Sequence, residues 1–304
     1  MKIELIVLFI ILFSTYEVKA QQEPMYTQYM FNPVSVNPGY TGTTESLNLN
    51  TLTRLQWVGI EGSPKTFSAA LHSPIGVRKI GLGLTLVTDK AGPVRNNYFT
   101  INYAYRLKLT DFLTLSMGMK SGISAYRAGL TDLYLAEQDD EAFMSNEKRT
   151  SPNFGFGFYL YSNKYYVGFS VPKLFQTDID DQPNRANELK RHYYLIGGYV
   201  WQLNSKWVFK PSILAKAVSG APLSSDITMQ FLYKDRVWLS AMYRFGDAAG
   251  LFFNYKINTQ LTLGYGYDFS LNGLSGVNSG SHELMVSYDF DGFTSNVVKS
   301  VRHF

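Results

Sequence analysis

The sequence predicts an all-β fold, a transmembrane antiparallel β-barrel, and three observations carry that prediction. From Arg191 to Phe290 the chain divides into consecutive stretches of about ten residues that alternate apolar and polar side chains, the period of a strand and not of a helix. One face of these stretches is unusually aromatic, while the other carries Lys, Arg, Asp, Ser, Thr and Gly, which suits a wet lumen. A soluble sandwich would need a second sheet to cover such an apolar face. Short and long connections also alternate, as expected where short periplasmic turns and longer outer loops join the strands of an outer-membrane barrel.

Composition narrows the alternatives. With 304 residues, 15% aromatic and 25 of them Gly, the chain is long enough for one large barrel. Mean hydropathy is only -0.11, and after the first twenty residues no uncharged apolar run approaches the roughly 18 residues that a membrane helix needs. The absence of Cys excludes a disulfide scaffold, a thiolate nucleophile, a Cys-ligated metal and a lipid anchor on an N-terminal Cys. Lys2, the apolar run Leu5 to Phe13 and the small residues in Val18-Lys19-Ala20 predict a signal peptide over 1–20, removed near Ala20 so that the mature chain starts near Gln21. The net charge of +4 is mild and gives no argument for nucleic acid.

Residues 21–45 precede the first strand. Within them Gln28 to Gly42 holds two Asn-Pro pairs, Asn32-Pro33 and Asn37-Pro38, each a turn or extended corner because Pro disfavours helix in the residue before it. Two readings follow: an irregular lead-in, or a small plug in which Tyr29, Met30, Phe31 and Tyr40 pack inside the barrel mouth. The barrel itself is expected over 46–290, with 291–304 as a C-terminal extension.

Strand by strand, Ser46 to Trp57 sets Leu47, Leu49, Thr51, Thr53, Leu55 and Trp57 against Asn48, Asn50, Arg54 and Gln56. Thr66 to Ile75, Ile80 to Val87, Tyr98 to Leu109 and Phe112 to Tyr126 continue the alternation. So do Lys206 to Ala217, Asp226 to Tyr233, Val237 to Phe245, Leu261 to Phe269 and Leu284 to Phe290. Glycines recur at period two as Gly81-x-Gly83, Gly155-x-Gly157 and Gly264-x-Gly266. With no helix behind them they are no phosphate loop, and on an inner face they make room for a plug or for neighbouring aromatics. Thr110-Asp111, Asn163-Lys164, Asn204-Ser205, Lys234-Asp235 and Asn258-Thr259 read as short turns. The stretches Thr88 to Arg95, Arg127 to Ser151, Pro172 to Lys190, Ser219 to Ser225 and Ser270 to Ser281 read as long loops, with Gly246-Asp247-Ala248 short where a long loop is due. Counting strands gives roughly fourteen, an even number that lets both termini face the periplasm.

One further set of residues carries a resemblance. Asn32-Pro33, Asn37-Pro38-Gly39-Tyr40-Thr41-Gly42, Arg54-x-Gln56-Trp57-x-Gly59, Gly62-x-Pro64-x-Thr66 and His72-x-Pro74 together resemble the PorP/SprF family of the Bacteroidota, departing at Gly39, where Ala is the commoner residue. The resemblance implies an outer-membrane protein of type IX secretion and gliding motility that supports export or surface attachment of a large secreted adhesin. It implies the secretion components as partners, whereas outer-membrane lipid or lipopolysaccharide is read from the residues themselves, as a head group gripped by Arg54 beside Trp57 or a divalent-ion contact at the acidic residues Glu137 to Glu141 and Asp178 to Asp181. It also makes Asn32, Pro33, Asn37, Pro38, Gly42, Arg54, Gln56, Trp57, Gly59, Gly62, Pro64 and His72 the residues of interest, with Arg54, Trp57 and the Gly59 to Pro64 connection as candidate partner contacts. The residues themselves leave Arg54 open to a lumen ion pair and Trp57 to an aromatic girdle.

No constellation points to an enzyme, a cofactor or a metal. Ser68 and His72 share one strand face but sit about 13 Å apart along it, too far for a nucleophile and its base. The acidic stretches Glu137 to Glu141 and Asp178 to Asp181 lack the spacing of a calcium loop. The competing function is a general or substrate-specific porin, with Arg106, Lys108, Lys120, Lys210, Lys216, Arg244 and Lys256 expected in its lumen.

Overall fold

The computed structural model describes residues 26–290, apart from 45, 77–78, 132–144, 176 and 179–187. Its strands are β1 (Leu47–Leu55), β2 (Lys65–Ile75), β3 (Ile80–Ala91), β4 (Val94–Lys108), β5 (Thr114–Ala128), β6 (Glu147–Tyr161) and β7 (Tyr165–Val171). There follow β8 (His192–Tyr199, resumed at Trp201–Gln202), β9 (Trp207–Val218), β10 (Ser224–Tyr233) and β11 (Val237–Arg244). β12 (Ala248–Lys256), β13 (Leu261–Ser270) and β14 (Ser281–Phe290) complete the set. Each strand pairs antiparallel with its neighbours in sequence, and β1 closes on β14 from Leu47 opposite Phe290 to Leu55 opposite His282. The result is a closed barrel of fourteen strands, which leaves no sheet edge along its circumference.

Alternation assigns the two faces. Leu82, Leu84 and Leu86 of β3 point outward and are exposed, while Gly81, Gly83 and Thr85 between them are buried. Around the wall Phe231, Leu239, Tyr243, Leu251 and Phe253 are likewise exposed, with Gln230, Trp238, Ser240, Met242 and Arg244 inside. An inverted protein of this kind, apolar outside and polar inside, is what a lipid solvent requires. Outward aromatics meet across strands, as in Trp207 with Tyr233 and Phe209 with Phe231 at 4.6 and 4.8 Å between ring centres.

Two expected loops are strand at their flanks. β3 and β4 run on to Ala91 and Val94 and turn at Gly92-Pro93, and β5 and β6 run to Ala128 and from Glu147. The amphipathic pattern stops earlier because Thr88, Asn97 and Thr150 are polar on the outward face, yet the backbone ladder continues past the apolar band. β4, β5 and β6 are therefore 15 residues each, against 8 to 10 for β10 to β14. Lys234 and Asp235, both at positive φ, form the tight turn between β10 and β11. Both acidic stretches fall largely outside the described residues.

Candidate functional site

The described chain before β1 lies inside the barrel. Three 3-10 turns, Tyr29–Phe31, Pro33–Ser35 and Pro38–Tyr40, fold it into a compact thread. Each Asn-Pro pair starts a turn, since Pro has no N–H to leave unsatisfied at the first helical position. Asn37 adds a side-chain cap, its Oδ1 accepting from Gly39 N–H at 2.8 Å.

The thread runs against the direction of the adjoining strand. β1 begins at the end of the barrel where the turns are short, but Thr27 sits near the opposite end. There Arg54, at the far end of β1, donates to Thr27 Oγ1 at 2.7 Å, to Asp268 Oδ2 at 2.6 Å and to Glu283 Oε1 at 2.5 Å. Thr27 Oγ1 donates in turn to Asp268 Oδ2 at 2.5 Å, and the Thr27 and Gln28 amides donate to Glu283 at 2.8 and 3.0 Å. One guanidinium, two carboxylates and two backbone amides thus form a latch, with every ionic side chain at most 4% exposed. Such a cluster is stable only because the second carboxylate is met by backbone N–H donors.

Below the latch the thread crosses the lumen. Tyr29 is buried there among the lumen-facing residues of the wall. Phe31 packs edge-on against Trp238 at 6.2 Å, and its carbonyl accepts from Asn50 Nδ2 at 3.3 Å. On the opposite wall Lys120 Nζ donates to Ser35 O at 3.3 Å and Ser170 Oγ to Val36 O at 2.7 Å. Asn37 Nδ2 reaches the strand carbonyls of Phe158 and Phe169 at 3.0 and 3.4 Å.

The short-turn end is held by proximity of backbone to backbone. A Cβ on Gly118 would collide with the Pro38 carbonyl group, and one on Gly81 with the carbonyl of Thr41. Gly42, at φ +69°, donates to His72 Nδ1 at 3.2 Å, and its carbonyl accepts from Arg106. His72 Nδ1 is thus an acceptor, which places the ring proton on Nε2. Tyr40 stands edge-on to both His72 and Tyr159, at 5.8 and 5.3 Å. At the loop end a cavity of about 70 Å³ remains between Tyr26, Val36, Thr85, Tyr98, Lys120 and Tyr194.

A family model described as type IX secretion system membrane protein PorP/SprF matches residues 18–288. The chain belongs to the PorP/SprF family. No curated protein sequence matches it significantly. Among solved structures it is similar to the CymD monoaromatic hydrocarbon channel, with a TM-score of 0.52 and 11% identity over 90% of this chain and 95% of that one. It is also similar to the Pseudomonas putida toluene transporter TodX, with a TM-score of 0.50 and 10% identity over 88% and 93% of the two chains. At such identities the likeness is one of fold, that of an outer-membrane barrel.

In this PorP/SprF barrel the residues on which the resemblance rests fall into three places. Asn32, Pro33, Asn37, Pro38 and Gly42 belong to the thread, and Arg54 and His72 are the wall residues that grip it near either end. Gln56, Trp57, Gly59, Gly62 and Pro64 shape the loop from β1 to β2. Gln56 N–H donates to Pro64 O at 2.9 Å, Trp57 takes φ +49° with its amide on Ser281 Oγ, and Gly62 O accepts from Gly92 N–H at 2.7 Å. Val58 pairs both ways with the β13 to β14 loop, through Gly280 O at 2.9 Å and Ser279 N–H at 2.7 Å. Arg54 is 3% exposed, so what it touches is the chain's own thread. Trp57 sits in a loop and not on a girdle strand.

Sequence reading missed Thr27, Asp268 and Glu283. The available signal was parity: Asp268 and Glu283 occupy inward positions of β13 and β14, where a carboxylate needs a cationic partner. Of the expected lumen cations, Arg106, Lys120, Lys210, Lys216 and Arg244 are buried, and Arg244 binds Asp226 through two contacts at 2.9 and 2.8 Å. Lys108 lies exposed at the short-turn end and Lys256 is half-buried.

Proposed function

We propose that this barrel serves type IX secretion as a closed outer-membrane partner, supporting export or surface attachment of one cognate secreted adhesin, with any part in gliding motility following from that adhesin. The carrying observation is that the lumen is occupied by residues 26–44, tied to the wall near both ends. The cavity beside Tyr98 and Lys120, at about 70 Å³, is far below the roughly 300 Å³ of a small-ligand pocket. A polar lumen then seats a segment of the chain itself. In this reading residues 1–20 are a removed signal peptide, the long-loop end faces outward, and Trp57 with the Gly59 to Pro64 loop offers the contact surface for the adhesin or a secretion component.

Deletion of the gene should remove one large surface protein while uptake of small molecules is unchanged, and the purified protein in planar bilayers should show little steady conductance until Gln21 to Gly42 is deleted. A wide stable pore in the intact protein, together with normal surface display in the deletion strain, overturns the proposal. A porin is the second reading, and its support is the likeness in fold to barrels described as hydrocarbon channels. Orientation has its own test, made clean by the lack of native Cys: Glu61→Cys should be labelled on intact cells and Asn204→Cys should not.

A further inference from the structure

The outward face of the tall wall carries one unbroken row of cations. Lys65 of β2 stands directly opposite Lys90 of β3, Lys90 opposite Arg95 of β4, Arg95 opposite Arg127 of β5, and Arg127 opposite Lys148 of β6. All five side chains are exposed and share the parity of the lipid-facing residues Phe67, Leu86, Phe99, Ile123 and Phe154. Neighbouring strands lie about 4.8 Å apart, so the row is roughly 19 Å long. Like charges directly opposite one another in a sheet are destabilising. Five in succession, with no carboxylate on the same face of these strands among the described residues, constitute a standing electrostatic cost that an external polyanion would offset.

Position decides which polyanion. Followed the other way, the same row passes from Lys65 to Leu55, His282, Tyr267 and Leu251, back into the apolar belt. The row therefore rises out of the lipid-facing band as it crosses the wall. Lys65 is two residues beyond Phe67, about 7 Å along the strand, and Lys148 is six beyond Phe154, about 20 Å. A phospholipid headgroup reaches only the lower part of that climb. A membrane glycolipid whose phosphates extend along a saccharide core reaches all of it, with its acyl chains against Leu84, Leu86, Phe99 and Ile101.

We infer that the row Lys65, Lys90, Arg95, Arg127 and Lys148 is a binding site for the phosphorylated core of an outer-leaflet glycolipid, lipopolysaccharide in chemical class. It fixes how the barrel is set in its leaflet. The inference rests on the outward placement of the long-loop end, which the labelling of Glu61 and Asn204 tests separately, whereas binding in detergent does not depend on it.

The test uses the full purified chain in detergent, with lipopolysaccharide from the bacterium that makes it, the same lipid after dephosphorylation, and phosphatidylglycerol vesicles as probes. Lys90→Glu/Arg95→Glu/Arg127→Glu should weaken lipopolysaccharide binding at least ten-fold and flatten its salt dependence. Lys164→Glu/Lys206→Glu/Lys234→Glu, an equal charge change in the short turns, should leave binding within two-fold. Should the first variant fail to assemble, as read by its heat-shifted mobility in gels, Lys90→Gln/Arg95→Gln/Arg127→Gln replaces it with the same expectation. Equal binding of dephosphorylated lipid, equal binding of phosphatidylglycerol vesicles, or equal losses in the two variant sets would overturn the inference, the last by showing only net charge. Retention of an acidic protein by the row, with no retention of lipopolysaccharide, would also overturn it.

Discussion

At the loop end of the lumen the thread is held by charge, through Thr27 and Gln28 against Arg54, Asp268 and Glu283. At the short-turn end shape is added to hydrogen bonds, since Pro38 and Thr41 rest on Gly118 and Gly81 where no side chain fits, while Gly42 meets His72 and Arg106. The two fastenings differ in how they fail. A charged latch loses energy when one member is removed, because the others remain buried without a partner. A glycine seat fails through addition, since the backbone above it has no room to move aside. The difference teaches that glycines facing the lumen take part in the closure alongside the ionic residues, by giving the thread's backbone a place to rest.

Gly118→Leu should have the largest effect. It forces Pro38 and Gly39 off the wall, and the expected outcome is an assembled barrel with steady conductance in planar bilayers, matching that of the 21–42 deletion. A closed Gly118→Leu barrel would show that the seat carries nothing. Arg54→Ala comes next, at about 3 to 5 kcal/mol lost in denaturant unfolding from lipid vesicles, because Asp268 and Glu283 are left together. Adding Asp268→Asn and Glu283→Gln to Arg54→Ala should recover part of that loss, and no recovery would mean that the packing of Arg54 matters and its charge does not. The smallest effect is expected from Asn37→Ala, about 2 kcal/mol for the loss of the Gly39 cap and the bonds to Phe158 and Phe169, with conductance remaining low. If Asn37→Ala opened the barrel as fully as Gly118→Leu, the side-chain bonds of Asn37 and not the glycine seat beside it would be the fastening.

Much of this was legible in the residues. Leu82, Leu84 and Leu86 against Gly81, Gly83 and Thr85 announce both strand and facing, because a strand's period of two is a local property of the backbone. The two Asn-Pro pairs announce turns, since Pro restricts its own φ and the conformation of the residue before it. The extensions of β3 to β6 past the apolar band were not legible. A ladder is continued by hydrogen bonds to a neighbouring strand, and Thr88, Asn97 and Thr150 carry no amphipathic signal of that pairing.

What the sequence by itself determined is thus the barrel, its lipid-facing side and the family to which the chain belongs, all of which depend on residues near one another or on a recognisable local pattern. Only the tertiary structure decided that the thread fills the lumen and that Arg54 closes on it. Thr27 and Glu283 lie 256 residues apart in the chain and meet only because β1 closes on β14. The five-cation row likewise exists only in the register of β2 to β6, where residues from five separate strands come to one level. Pairing register is a property of the closed sheet, and no stretch of a single strand contains it.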